Sequence, residues 1–134
     1  MTTDLPKENN VMNISLWIAQ LLLAGSFIWA SYVKLFMPAD DLAAMWPWTA
    51  EHMLLVKITG AIDLIAGIGL ILPAWLRIRP DLTIYAAYGV ILLMIAASIF
   101  HIARGEASLI GINIFFAALA AFIAWGNVRF KTKF

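Results

Sequence analysis

The sequence predicts an all-α integral membrane protein: a four-helix bundle of antiparallel spans, forming a single domain over residues 1–134. Of the 134 residues, 63% are hydrophobic and only 13% are charged, against roughly 45–50% and about 25% in soluble proteins. Four stretches nearly free of charge each have about the 20 residues that a helix needs to cross the hydrocarbon core. Because a soluble domain of this size would expose large apolar patches to water, the lipid bilayer is the expected surroundings.

The four spans are expected at residues 14–36, 52–72, 81–103 and 107–126. Proline interrupts a helix, and four prolines are expected to bracket the first and second loops: Pro38, Pro47, Pro73 and Pro80. Only three residues link the last two spans, so these spans must be antiparallel neighbours. The first span is too long for a signal peptide and follows acidic residues, so it is expected to remain as a span.

The basic residues predict the orientation, because cytoplasmic loops collect Lys and Arg. The side that holds both termini carries six of them: Lys7, Arg77, Arg79, Arg129, Lys131 and Lys133. The opposite side carries three: Lys34, Lys57 and Arg104. We therefore expect a multi-pass protein of the cytoplasmic (inner) membrane with both termini in the cytoplasm.

Composition also excludes several kinds of site. The absence of cysteine excludes disulfides, thiolate metal sites and iron–sulfur clusters. A formal net charge of +1 offers no field for nucleic acid, so no such partner is expected. His52 and His101 are expected at the same boundary, where they either ligate a haem or metal ion or serve as interfacial polar residues. Two histidines without thiolates favour the second interpretation, and no metal site is predicted.

Asp63 is the acid expected near the bilayer midplane. Counted from residue 52 it lies about 16 Å deep, where an acid costs roughly 2.5–3.5 kcal/mol. Thr59, Asp63 and Gly67 follow one another at helical spacing with Gly60 beside them, so a second helix can approach closely and Asp63 should face the bundle interior. Two interpretations stay open: an acid that only joins helices, or a carboxylate that accepts a proton or binds a ligand.

Four further polar residues are expected to join Asp63 in one polar core in the outer half of the bundle. Lys34 ends a faintly polar stripe of span one that begins at Gln20, and it is either a snorkelling anchor or a cation turned toward the acid. His101 is predicted to titrate near the solvent end of this core. Asn113, in span four, is expected to hydrogen-bond across helices.

Three stretches carry a resemblance to a known family. Ser31-Tyr32-Val33-Lys34-Leu35 resembles a glycine-x-x-lysine motif, with serine in place of glycine. Gly60-Ala61-Ile62-Asp63, continuing to Gly67 and Leu70, is similar to a glycine-x-x-glutamate motif with a shorter acid, and His101 with Asn113 forms the third likeness. Together they resemble the DoxX-like family of small four-span membrane proteins. The resemblance implies an all-helical bundle and, for some members, assistance to quinone-linked oxidation of sulfur compounds or other membrane redox processes.

The leading hypothesis is a membrane-embedded binding protein or redox-accessory subunit that holds a small lipophilic ligand, a quinone being one candidate. Asp63 and His101 would exchange protons with a ligand carbonyl or hydroxyl. The expected ligand-binding residues are Lys34, Asn113, Gln20, Phe27, Trp29 and Phe115. No redox centre is visible in the sequence, so a quinone-linked oxidoreductase activity would need a partner subunit or a bound cofactor.

Two other classes stay open. Four short spans with one midplane acid also describe a small proton-coupled transporter that works as a homodimer. A purely structural membrane subunit, in which each buried polar group serves only packing, is the other alternative. Whether the protein is an enzyme is left open by the sequence.

Overall fold

The computed structural model describes residues 4–76 and 80–130, and over this part of the chain it is helical without strands. The α-helices are α1 (Asp4–Phe36), α2 (Ala39–Met45), α3 (Met53–Leu76), α4 (Pro80–Ala103) and α5 (Gly111–Phe130), with 3₁₀ helices at Pro47–Glu51 and Ala107–Ile110. Four stretches are long and apolar enough to cross a membrane: Val11–Phe36, Met53–Pro73, Asp81–Ala103 and Ala107–Val128. The predicted all-α, four-span architecture is confirmed, with span limits within three residues of those expected.

The four long helices form a ring of neighbours, in which α1 and α4 each pack on both α3 and α5. Leu16, early in α1, lies against Gly126, late in α5, so the start of α1 and the end of α5 share one end of the bundle, which we name the terminal end. At the opposite end, the loop end, residues 37–52 connect α1 to α3 and a tight turn at Gly105 follows α4. Gly105 has a φ of 78°, which glycine adopts without the strain that other residues meet.

The core and the lipid-facing surface are both apolar. Buried side chains of the four spans pack in one cluster, with Leu23, Phe27 and Leu70 at its centre. Large apolar residues such as Ile65 and Leu92 are exposed on the outer faces, as helices in lipid require, because apolar side chains lose nothing by contacting lipid tails.

Glycines allow α1 to approach its neighbours closely. A Cβ atom on Gly67 would lie 2.7 Å from Ile28 Cγ1, and one on Gly60 would lie 3.0 Å from Lys34 Cβ. These contacts meet the expectation that the small residues around Asp63 face another helix, and Asp63 itself is buried. At the terminal end a Cβ atom on Gly126 would lie 2.5 Å from Leu16 Cδ2, so α1 and α5 are equally close there.

Span two ends at Pro73 within one residue of the expected limit, but the helix does not end there, contrary to the prediction that this proline opens the second loop. It lies inside α3, which continues to Leu76. Pro73 has no N–H to donate to the carbonyl four residues earlier, that of Gly69. Gln20 Nε2 donates at 2.8 Å to the carbonyl of Leu70 in the same turn. A side chain from a neighbouring helix thus satisfies backbone near a proline, which allows proline within a membrane span.

The orientation stays a prediction. Four of the six basic residues on which it depends, Arg77, Arg79, Lys131 and Lys133, lie outside the described residues. The side chains of Lys7 and Arg129 are likewise outside the described part of the structure.

Candidate functional site

A cleft of about 1260 Å³ occupies the loop-end half of the bundle. All four spans contribute to its walls, as do residues 45–48 of the loop. Its volume is somewhat above the ~300–1,000 Å³ of ordinary ligand pockets. Most of its lining is apolar, and the polar side chains among the lining residues are Ser26, Lys34, Thr59, Asp63, His101, Glu106 and Asn113.

Lys34 and Asp63 form an ion pair in this cleft. Lys34 Nζ lies 2.8 Å from Asp63 Oδ2 and 3.3 Å from the hydroxyl oxygen of Thr59. The two charged side chains are only 13% and 5% exposed. The structure therefore favours the second interpretation of Lys34, in which the cation turns inward and compensates the acid that would otherwise be costly in the membrane.

Two tryptophans complete the surroundings of the Lys34 ammonium. Its Nζ atom lies 5.9 Å from the ring centroid of Trp46 and 5.8 Å from that of Trp48, within cation–π range. Trp46 contacts the ring of Trp29 on α1, and Trp48 contacts the ring of Phe100 on α4. Trp46 and Trp48, which we name the aromatic roof, thus extend across the loop end of the cleft from α1 to α4.

The roof is held in place by a small core beneath residues 37–52. Leu42 of α2 is fully buried between Val33 of α1 and Val56 of α3, with both roof tryptophans packed against them. The Thr49 hydroxyl donates to the Trp46 carbonyl at 2.8 Å, which fixes the turn that carries both rings. The two prolines predict a loop for this segment, and it is instead a short helix followed by a 3₁₀ turn.

Lys57 also binds backbone. Its Nζ atom donates to the carbonyls of Lys34 at 3.1 Å and Leu35 at 3.0 Å. These carbonyls belong to the last turn of α1, which has no further helical partner, and a cation there also complements the helix dipole. Lys57 therefore fixes the end of α1, and with it the backbone that carries Lys34.

His101 lies beside Glu106 at the loop end of the cleft. His101 Nδ1 is 2.9 Å from Glu106 Oε1, and the Arg104 guanidinium donates to both oxygens of the same carboxylate at 3.1 and 3.3 Å. The Arg104 hydrogen bonds, and secondly the contact with His101, hold the pKa of Glu106 below its usual value. The carboxylate is thereby fixed in its charged form next to His101.

Asn113 is a polar residue of the cleft, and the N–H group of its side-chain amide lacks an acceptor among the described residues. Its side chain is buried, and its Nδ2 atom has no hydrogen-bond partner among the described residues. A buried donor without an acceptor costs about 1–3 kcal/mol. A ligand oxygen in the cleft would supply the missing acceptor.

The structure brings together six of the eight predicted site residues: Lys34, Asp63, His101, Asn113, Phe27 and Trp29 all line the cleft. It does not bring Gln20 to them. Gln20 is fully buried toward the terminal end, where it bonds Leu70 and accepts a hydrogen bond from Asn127 at 3.2 Å.

Phe115 lies outside the cleft as well. Its side chain is 48% exposed on the outer face of α5, and the adjacent Phe116 lines the cleft in its place, 5.6 Å from the ring of Phe27. On a helix that is apolar on every face, sequence position alone does not tell which of two adjacent rings points inward.

The roof tryptophans and Glu106 are among the cleft residues that sequence reasoning missed. By sequence position Trp46 and Trp48 are interfacial anchors in the outer loop, and their approach to Lys34 depends on the fold of residues 37–52. A signal for Glu106 was present, because an acid two residues after Arg104 and five after His101 can meet both in a tight turn. The two histidines that are expected at the same boundary, His52 and His101, each contact the ring of Phe100 and therefore lie near each other.

Comparison with known proteins matches the chain to a family. A family model described as the DoxX-like family matches residues 18–123, which include every predicted site residue. No curated protein and no solved structure matches the sequence.

Proposed function

The chain belongs to the DoxX-like family, and we propose that it is a membrane protein whose cleft binds a small lipophilic molecule with a carbonyl or hydroxyl head group. A quinone is one candidate. The observation that carries this proposal is the buried Nδ2 atom of Asn113, which lacks a partner among the described residues and lies in a cleft that is otherwise mostly apolar. Apolar walls with a few placed polar groups are typical of small-molecule sites.

The charges in the cleft favour a neutral ligand. Lys34 balances Asp63, and Arg104 balances Glu106, so neither acid is left to attract a cation. A carbonyl oxygen can accept from Asn113, while a full charge would have to be desolvated without a free counter-ion. The same balance gives less support to a proton-coupled transporter, because such a transporter exchanges its proton for a cation at an acid that Lys34 already occupies here.

The remaining residues fit a head group placed between Asn113 and the ion pair. Lys34 would donate to its second oxygen, Asp63 would accept from that oxygen where it is a hydroxyl, and His101 would exchange a proton with it from the loop end. The rings of Phe27, Trp29 and Phe116 would pack against its faces. In a redox role the electrons would come from a partner subunit or a bound cofactor, since the chain's own side chains supply no redox centre.

The basic residues support a location in the cytoplasmic (inner) membrane with both termini in the cytoplasm. The three basic residues of the loop end are each held by a protein acceptor: Lys34 by Asp63, Lys57 by two carbonyls and Arg104 by Glu106. Lys34 is therefore withdrawn from the surface while Lys57 and Arg104 stay exposed, so the loop end presents fewer basic side chains to lipid head groups than its three cations suggest.

Ligand binding tests the proposal. Purified protein in lipid nanodiscs is titrated with a methyl-benzoquinone, and binding is followed by quenching of tryptophan fluorescence. Asn113→Leu keeps the side-chain size and removes the donor, and we expect it to weaken binding about tenfold, as the loss of one hydrogen bond of about 1.4 kcal/mol would.

Thr83→Val is the matched control. The Thr83 hydroxyl is also fully buried and has no partner among the described residues, yet Thr83 is not part of the cleft lining. Its replacement should leave the dissociation constant unchanged. Wild-type protein that fails to bind the quinone, or an Asn113→Leu variant that binds it as well as wild type does, would contradict the proposal.

A further inference from the structure

The cleft is covered at the loop end but open toward the lipid. At the loop end the aromatic roof and the turn that carries Glu106 lie over it. Along its side, the lining includes residues that are exposed on the surface of the spans, namely Leu22 and Trp29 of α1 and Ile112 of α5, each at least 50% exposed. These exposed positions lie within the membrane spans, so the cleft reaches the hydrocarbon.

The opening lies between α1 and α5, which meet at the rings of Phe27 and Phe116 and approach each other backbone to side chain toward the terminal end. There Leu16 touches Gly126 and Gln20 bonds Asn127. Toward the loop end, the facing stretches at Leu22–Ala30 and Leu109–Ile112 line the cleft on its two sides. We call the space between these two stretches the lateral slot.

The lateral slot is apolar and has room. A Cβ atom on Gly25 would meet no atom within 4 Å. The one hydroxyl on its α1 wall, that of Ser26, donates to the Leu22 carbonyl of its own helix at 2.9 Å and offers nothing to a ligand. The groups that can bond a ligand are the buried Asn113, directly behind the α5 wall of the slot, and the Lys34–Asp63 pair, and all of them line the cleft.

We propose that the ligand is a membrane-dissolved amphiphile with an apolar tail, which reaches the cleft from the bilayer through the lateral slot and leaves its tail there. This inference rests on the proposed function and extends it. The roof blocks the direct route from water, whereas the slot connects the polar end of the cleft to lipid by an apolar path. A tail in the slot is in the same surroundings as in the bilayer, and the head group gains the hydrogen bond of Asn113.

Access rates test the inference. Nanodiscs with the protein are mixed with vesicles that contain a decyl-benzoquinone, and tryptophan quenching is followed by stopped flow. Gly25→Leu places a bulky side chain in the slot at a position where the Cβ atom meets no neighbour. It should slow both association and dissociation by about tenfold, because an obstacle in the path raises the barrier in both directions. Gly25→Ala is smaller and should leave both rates close to those of wild type.

Gly89→Leu is the matched control, since Gly89 is an exposed mid-helix glycine of α4 with equally open surroundings and does not line the cleft. It should bind at wild-type rates. Equal rates for Gly25→Leu and wild type would overturn the lateral route, as would binding of the tail-free methyl-benzoquinone without binding of the decyl form. If wild-type protein binds neither quinone, the proposed function itself fails and the slot has no such ligand to admit.

Discussion

The ion pair between Lys34 and Asp63 gives the most quantitative prediction. Two unit charges 2.8 Å apart attract each other by about 6 kcal/mol at the effective dielectric constant of 20 that suits protein sites. Removing one partner of a buried pair costs about 3–5 kcal/mol, since the other charge stays buried and unpaired. Lys34→Met should therefore lower the free energy of unfolding by about that amount.

The two single variants should differ. In Asp63→Asn the side-chain oxygen still accepts from Lys34, and the ammonium keeps Thr59 and the two roof rings, so the loss should be smaller than in Lys34→Met. In the double variant Lys34→Met with Asp63→Leu no charge remains, and its free energy of unfolding should lie within about 1 kcal/mol of wild type, because well-packed apolar replacements of a buried pair are often neutral.

The assay is reversible unfolding in mixed micelles, with helix content followed as the fraction of denaturing detergent rises. Asp63→Leu is also measured alone, and the coupling energy is the difference between the double variant's loss and the sum of the losses of Lys34→Met and Asp63→Leu. If the losses are additive, the two charges do not stabilise each other, and Lys34 does not compensate the buried acid. Quinone binding by the double variant is measured in parallel, and it should be weakened even where stability is restored.

Three further predictions concern packing, a side-chain bridge and pH. Gly126→Ala should cost about 1–3 kcal/mol by overpacking against Leu16, while Gly89→Ala, in open space, should gain up to about 1 kcal/mol in helix propensity; detergent unfolding measures both. Gln20→Leu should cost about 1–2 kcal/mol by removing the hydrogen bond to the Leu70 carbonyl of α3, and Ser26→Ala, whose hydroxyl bonds its own helix, should cost nearly nothing in that assay. Because the pKa of Glu106 is lowered in the folded protein, its contacts with Arg104 and His101 stabilise the fold fully above the ordinary glutamate pKa of 4.5. This stabilisation is lost as the pH falls through the lowered pKa. Thermal stability should therefore fall over that acidic range, and Glu106→Gln should flatten the fall; an unchanged profile in that variant would contradict the assignment.

The sequence sufficed for the spans because bilayer thickness imposes a length on any charge-free helix. The error at Pro73 came from treating proline as a helix end, which holds in water. In the bundle Gln20 of another helix binds the turn before the proline, and that partner lies 50 residues earlier in the chain. A local pattern contains no information about such a distant donor.

The site was predictable where polar residues have few alternatives in lipid. Asp63 needed a compensating group, and Lys34 was the nearest cation on the neighbouring span. The aromatic residues of the cleft were harder to predict, because Phe115 and Phe116 are adjacent residues of the same type. Only the rotation of α5 about its axis determines which of the two rings faces the cleft. The roof could not be predicted, since it depends on Leu42 packing between two spans.

The hydrogen bond from Gln20 to the turn beside Pro73 also has a consequence for biosynthesis. During translation α1 is made before α3, so the donor precedes the Leu70 turn into the bilayer. Asn127, which donates to the same Gln20 side chain, follows 107 residues after it. The first two spans can thus associate as a hairpin while the chain is still growing, and the arrival of the last span completes the polar contact that joins the three helices.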